Sequence, residues 1–141
     1  MAADQAAGPG TQLPELRVRA QNVQARSGRA EEENIHDDAT AQRLGFQRGF
    51  VAFGQSLGWM SRMLVGYFGP SYYETGRFEC RFRAPIFDDD DVSVRGEITE
   101  RVKEPGGVRL VCDVWIEKED GTRAVVGTAS ALASREKAPR V

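Results

Sequence analysis

Residues 49–69 read GFVAFGQSLGWMSRMLVGYFG, and twelve of the 19 residues at positions 50–68 are Phe, Val, Ala, Leu, Trp, Met or Tyr. On a helical wheel they cover nearly every face. A helix that is apolar all round is buried all round. Gly69-Pro70 ends it. Gly54, Gly58 and Gly66 each cost about 1 kcal/mol relative to alanine inside a helix. That cost implies that other backbone passes close to the helix.

Downstream, over residues 72–133, the apolar period changes to two. Phe78, Cys80 and Phe82 alternate with Arg77, Glu79, Arg81 and Arg83. Val92, Val94, Gly96 and Ile98 alternate with Ser93, Arg95 and Glu97. Val108, Leu110, Cys112, Val114 and Ile116 alternate with Arg109, Val111, Asp113, Trp115 and Glu117. Residues 124–132 form a last strand of small and β-branched side chains. Turn residues fall at 88–91, 104–107 and 119–121. Four consecutive strands with short connections predict an antiparallel meander.

Upstream, Leu16, Val18 and Ala20 alternate with Arg17 and Arg19, which predicts a short strand. Residues 24–33 are a polar loop by composition. Asp37 or Asp38 caps a short helix that runs to Leu44 and ends at Gly45. One long buried helix ahead of a long antiparallel meander is an α+β arrangement. A curved antiparallel sheet wrapped around the helix buries it most simply. The expected organisation is a disordered segment at 1–12, a single domain at 13–133 and a flexible tail at 134–141.

A length of 141 residues fits that single domain. A chain of this size hides roughly 68–70% of its unfolded surface and needs no staple. Nineteen basic and 21 acidic side chains leave no basic footprint for nucleic acid. One histidine, His36, and two cysteines, Cys80 and Cys112, exclude a multi-histidine or four-cysteine zinc site. The cysteines lie outside any CxxC spacing and are expected to be buried and reduced. The first twelve residues lack the basic start and apolar run of a signal peptide. Gln55, Ser56, Ser61 and Arg62 interrupt the one stretch long enough to span a membrane. A soluble cytoplasmic protein is expected, with no membrane and no nucleic-acid partner.

Two segments resemble a known family. NIHDDATAQRLGFQRGF, residues 34–50, resembles the signature loop of MaoC-like dehydratases, also called R-specific enoyl-CoA hydratases. There, Asp-x-Asn-Pro-(apolar)-His leads into a short helix ending Gly-Phe, and a His-Gly pair opens the central helix. RFRAPIFD, residues 81–88, resembles the family's Arg-Phe-x-x-Pro-(apolar) strand and acidic turn. With the element order, the resemblance covers roughly residues 13–133 and implies the hot-dog fold. The family's catalytic aspartate stands five residues before its histidine, where this chain has Glu31, and the family asparagine aligns with Glu33. With the proline deleted instead, Asn34 is that asparagine and Glu32 replaces the aspartate. The His-Gly pair has become Arg48-Gly49.

The resemblance implies addition of water to an enoyl thioester, or its loss from a 3-hydroxyacyl thioester, on CoA or a carrier protein. It implies no metal and no redox cofactor. It makes His36 the acid–base group, with Glu31 or Glu32 as carboxylate partner and Asn34 orienting the water or the imidazole. It makes the Gly49 N–H, at the start of the long helix, the donor to the thioester oxygen. Helix N-termini suit that task. Arg48 and the outward arginines Arg77, Arg81 and Arg83 would meet CoA or carrier phosphates. Phe50, Phe53, Trp59 and Met63 would line the acyl tunnel, with a plain core role the default alternative for Trp59 and Met63. The family also implies a homodimer pairing sheets edge to edge, or an assembly of such dimers, with Val111 and Trp115 on a covered sheet surface.

Other readings compete. His36 could be a helix-entry histidine satisfied by Asp37 or Asp38, and the glutamates a solvated loop. The fold could serve a non-catalytic acyl-binding or partner subunit. A hot-dog thioesterase would place a carboxylate on or near the central helix, and residues 49–68 hold no Asp or Glu. Gly54-Gln55-Ser56-Leu57-Gly58 fits the G-x-S-x-G pattern, but that elbow needs a strand–turn–helix context and a histidine after the serine. The four aspartates at 88–91 lack calcium-loop spacing and read as a solvated turn.

Overall fold

The computed structural model describes residues 6–23 and 35–133. The period-two segments form strands β1 (Leu16–Arg19), β2 (Arg77–Phe82), β3 (Asp91–Glu104), β4 (Gly107–Lys118) and β5 (Arg123–Leu132). The helices are α1 (Asp38–Arg43), α2 (Phe53–Phe68) and α3 (Ser71–Thr75). The strands make one five-stranded antiparallel sheet in the order β1-β3-β4-β5-β2. Its inner face carries Val92, Val94, Ile98, Leu110, Cys112, Val114, Ile116 and Val125. These close on Met60, Met63, Leu64, Tyr67 and Phe68 of α2 in one core. The α+β class holds. No described helix is long and apolar enough to cross a membrane.

The meander is shorter than expected. Only β3, β4 and β5 follow one another in space. β2 lies at the far edge, paired with β5 from Arg77↔Ser130 to Phe82↔Val125. Alternation marks the two faces of a strand and says nothing of its neighbour. Gly127 permits this pairing, because a Cβ there would strike the Glu79 carbonyl and Cys80.

α2 starts later than expected and is buried on one side. Residues 49–52 are extended: Phe50 bridges to Phe87, and the Val51 N–H donates to the Ile86 carbonyl at 2.8 Å. Phe50 and Val51 are buried in this extended segment, so apolar composition alone misplaces the boundary. On α2 the exposed side carries Phe53 and Leu57, 49% and 36% exposed. A Cβ at Gly54, Gly58 or Gly66 would meet nothing within 4 Å. These glycines therefore do not mark close backbone approach within the chain. The tight contact is at Gly96 of β3, where a Cβ would stand 3.1 Å from Leu13 and 3.3 Å from Met63.

Three smaller features complete the frame. Residues 10–12 bond to β3: the Gly10 N–H donates to Ile98 O, the Ile98 N–H to Thr11 O, and Gln12 bridges to Glu97. The Arg123 guanidinium lies 4.2 Å from the Trp115 ring centroid. Of the two cap candidates for α1, Asp37 takes the role, accepting from the Thr40 N–H at 3.0 Å. The tail at 134–141 and the loop at 24–33 lie outside the described residues.

Both cysteines are free thiols. Burial, with the neighbouring Asp113 carboxylate, pushes the Cys112 thiol up to about 12. The unfolded thiol ionises near its ordinary value of 9, so the folded state alone keeps the proton above that pH. The resulting stabilisation is complete below pH 9 and is lost as pH rises toward 12. Urea titrations across this range should show wild type losing more stability than Cys112→Val. Gly66→Ala, on the open side of α2, should raise the unfolding free energy by about 1 kcal/mol in the same assay.

Candidate active site

His36 stands in the turn that leads into α1. Its Nδ1 lies 2.7 Å from the Phe50 carbonyl oxygen. A carbonyl can only accept, so Nδ1–H is the donor, and in the neutral ring Nε2 keeps its lone pair. The imidazole also meets the Phe50 ring edge-on, with centroids 5.9 Å apart. The carboxylates of Asp37 and Asp38 are committed elsewhere. Asp37 takes the Thr40 N–H and hydroxyl, and Asp38 accepts from the Gly49 N–H at 2.9 Å.

Gly49 is therefore close to His36, but not as a donor at a helix start. Its N–H is held by Asp38, and α2 begins four residues later at Phe53. The glycine is required sterically: a Cβ there would run into the His36 carbonyl. The Phe50 N–H adds a 3.4 Å bond to the Ile35 carbonyl. Residues 49–50 thus lie flush along 35–36. The donors at the true helix start are the first-turn N–H groups of Phe53 and Gly54, which an α-helix leaves without intrahelical acceptors. Ala52 supplies no side-chain cap for them. That end of the helix is partially positive.

Beside this end opens a cleft of about 190 Å³. Phe46, Phe50, Phe53 and Phe82 give it aromatic walls, and Ser56 and Arg83 bring its polar side chains. Phe53 stacks on Phe82 with centroids 4.0 Å apart, and Phe46 packs on Phe50 at 5.0 Å. His36 is not itself a wall of the cleft; it adjoins the cleft through Phe50. Of the expected acyl-lining residues, Phe50 and Phe53 take that position. Met63 is instead buried in the core, and Trp59 packs against it. Arg48 is tied down: its Nη2 donates to the Asp88 carbonyl at 3.2 Å, and its guanidinium lies 5.0 Å from the Phe87 ring centroid. Glu31, Glu32 and Asn34 lie outside the described residues.

Solved structures share this arrangement of helix and sheet. The MaoC-like dehydratase from Rhodospirillum rubrum superposes with a TM-score of 0.77 at 14% identity, covering 96% of this chain and 99% of that one. The (R)-hydratase from A. caviae involved in PHA biosynthesis does so at 0.70 and 22% identity, covering 93% and 100%. A chain of the ChsH1–ChsH2 complex from Mycobacterium tuberculosis gives 0.69 and 22%, covering 89% and 98%. The fold is the hot-dog that these structures share. No protein-family model and no curated protein matches the chain in sequence.

Within the hot-dog frame, one residue near His36 carries no signal in the sequence. Asn22 follows β1 in a polar run, yet it is only 2% exposed. Its Nδ2 donates to the His36 carbonyl at 2.9 Å, and its own N–H donates to Asp88 Oδ1 at 2.7 Å. The acidic turn is thus built rather than merely solvated. Asp88 holds Asn22, and Asp90 Oδ2 accepts from the Phe87 N–H at 2.8 Å and pairs with Lys118 at 3.1 Å. Asp89 takes a left-handed φ of 67°. Loss of the Asn22 amide removes one hydrogen bond to the half-buried His36 carbonyl, which costs about 0.5–1.5 kcal/mol. Asn22→Ala should lower stability by that amount in urea unfolding, and Asn22→Asp, which cannot donate, should do the same.

Proposed function

We propose that this chain adds water to enoyl thioesters or, in reverse, removes it from 3-hydroxyacyl thioesters. The observation that carries the reading is the 2.7 Å bond from His36 Nδ1 to the Phe50 carbonyl. It aims a basic Nε2 from a ring whose backbone anchor also walls an apolar cleft at a helix N-terminus. The R-hydratase and MaoC-like dehydratase neighbours support the same reaction class.

In hydration, His36 Nε2 takes a proton from water as the water oxygen bonds to the β-carbon. The electron pair of the double bond moves toward the thioester oxygen, giving an enolate. The N–H groups that open α2 stabilise that oxygen. The proton then passes to the α-carbon, which restores the thioester. Glu31 or Glu32 shares the water as the carboxylate partner, with Asn34 orienting it. The acyl group enters along Phe50 and Phe53. Exposed Arg83, at the cleft, meets the phosphates of CoA or of a carrier protein. β2 is an edge strand, and its outer side is where a second copy extends the sheet.

One observation favours a second reading. His36 is not a wall of the cleft, as suits an acyl-binding subunit that works beside a different catalytic chain. The ChsH1–ChsH2 neighbour is itself a complex of two named components.

The test mixes the purified protein with enoyl-CoAs of several lengths and follows loss of the conjugated double bond and release of free thiol. Hydration should appear without thiol release, and His36→Ala should slow it by about 10²–10⁴-fold. Hydration untouched by that substitution overturns the mechanism. Thiol release alone marks a thioesterase, and binding with neither reaction marks the acyl-binding subunit.

A further inference from the structure

We infer that Ser56 makes the cleft selective for acyl groups that carry an oxygen substituent. This rests on the thioester reading of the same cleft. Ser56 sits on the buried side of α2 and is 3% exposed. The other buried positions of that helix, Met60, Met63, Leu64, Tyr67 and Phe68, are all large and apolar. Ser56 interrupts their stripe where the helix meets the cleft, and it lines that cleft.

A serine in a helix commonly returns its hydroxyl to the carbonyl four residues back. Thr75 does so in this fold, donating to the Ser71 carbonyl at 2.7 Å. The Ser56 hydroxyl has no hydrogen-bond partner among the described residues, and no buried side-chain atom of Ser56 is sealed away from the cleft. Water meets that hydroxyl while the cleft is empty, and an apolar occupant that displaces the water would strand it. The surrounding phenyl rings of Phe46, Phe50, Phe53 and Phe82 offer it nothing. The occupant of the cleft is what completes it.

A hydroxyl both donates and accepts, so Ser56 suits either an alcohol or a ketone on the acyl chain. A plain alkyl chain would cover Ser56 and leave it unsatisfied. A site built to bond a polar substituent discriminates in this way against the analogue that lacks it. Ser56 is no nucleophile in this scheme, because no histidine is bonded to it.

The experiment measures equilibrium binding by calorimetry, using saturated thioesters that the proposed reaction does not consume. The probes are hexanoyl-CoA, 6-hydroxyhexanoyl-CoA and 5-oxohexanoyl-CoA, each with the full chain as wild type and as Ser56→Ala. Alanine is the better helix former, so the variant folds. At least one oxygenated probe should bind wild type about tenfold more tightly than hexanoyl-CoA. Ser56→Ala should abolish that preference. Equal binding of all three to wild type overturns the inference, as does a preference that survives Ser56→Ala. Because the readout is binding, the two readings fail separately. A Ser56-dependent preference without His36-dependent hydration sinks only the hydratase mechanism. Hydration with no such preference sinks only the role of Ser56. No binding of any thioester sinks both.

Discussion

The site depends on how one face of α2 is seated against the inner face of β3, β4 and β5. Met60, Leu64 and Phe68 are wholly buried there. Each such side chain contributes roughly 1.5–3 kcal/mol when taken from water, so the helix can neither turn nor slide without a large loss. Fixing α2 fixes its first turn. The extended approach to that turn is then pinned on one side by Ile86 and Phe87 and on the other by Ile35 and His36. The imidazole is held by a carbonyl only three residues ahead of a helix that cannot move. Rigidity around His36 is thus inherited from the core.

The parts of the fold that repeat along the chain were legible in the sequence, and the parts that depend on contact were not. Phe78-Cys80-Phe82 and Leu110-Cys112-Val114-Ile116 announce strands because a strand alternates whatever lies beside it. The neighbour of β2 is set by Gly127, whose missing side chain is visible only once Cys80 faces it. Phe50 and Val51 read as helix because burial selects apolar residues in either conformation. The glycines of α2 were read as sites of close approach, yet the packing is tight at Gly49, Gly96 and Gly127 and open at Gly54, Gly58 and Gly66.

At the site the contrast is similar. His36 and Gly49 could be singled out because they belong to a local pattern. The reason for Gly49 could not be read, since it lies in a contact with the His36 carbonyl rather than in a bond to a ligand. Asn22 and Asp88 are 66 residues apart and meet only in the folded sheet. Ser56 falls in a G-x-S-x-G pattern that lacks the context of a nucleophile elbow, and nothing else in the sequence marks it. Its burial and its place in the cleft depend on the phase of a helix whose start the sequence misplaced.

His36 is anchored through Nδ1 on the Phe50 carbonyl, which fixes the plane and tautomer of its ring. Asp37 and Asp38, the nearest acids in sequence, are turned onto the N–H groups of Thr40 and Gly49. Their charge is spent on capping α1 and on drawing residue 49 against residue 36. The same two aspartates that flank the histidine therefore build its seat.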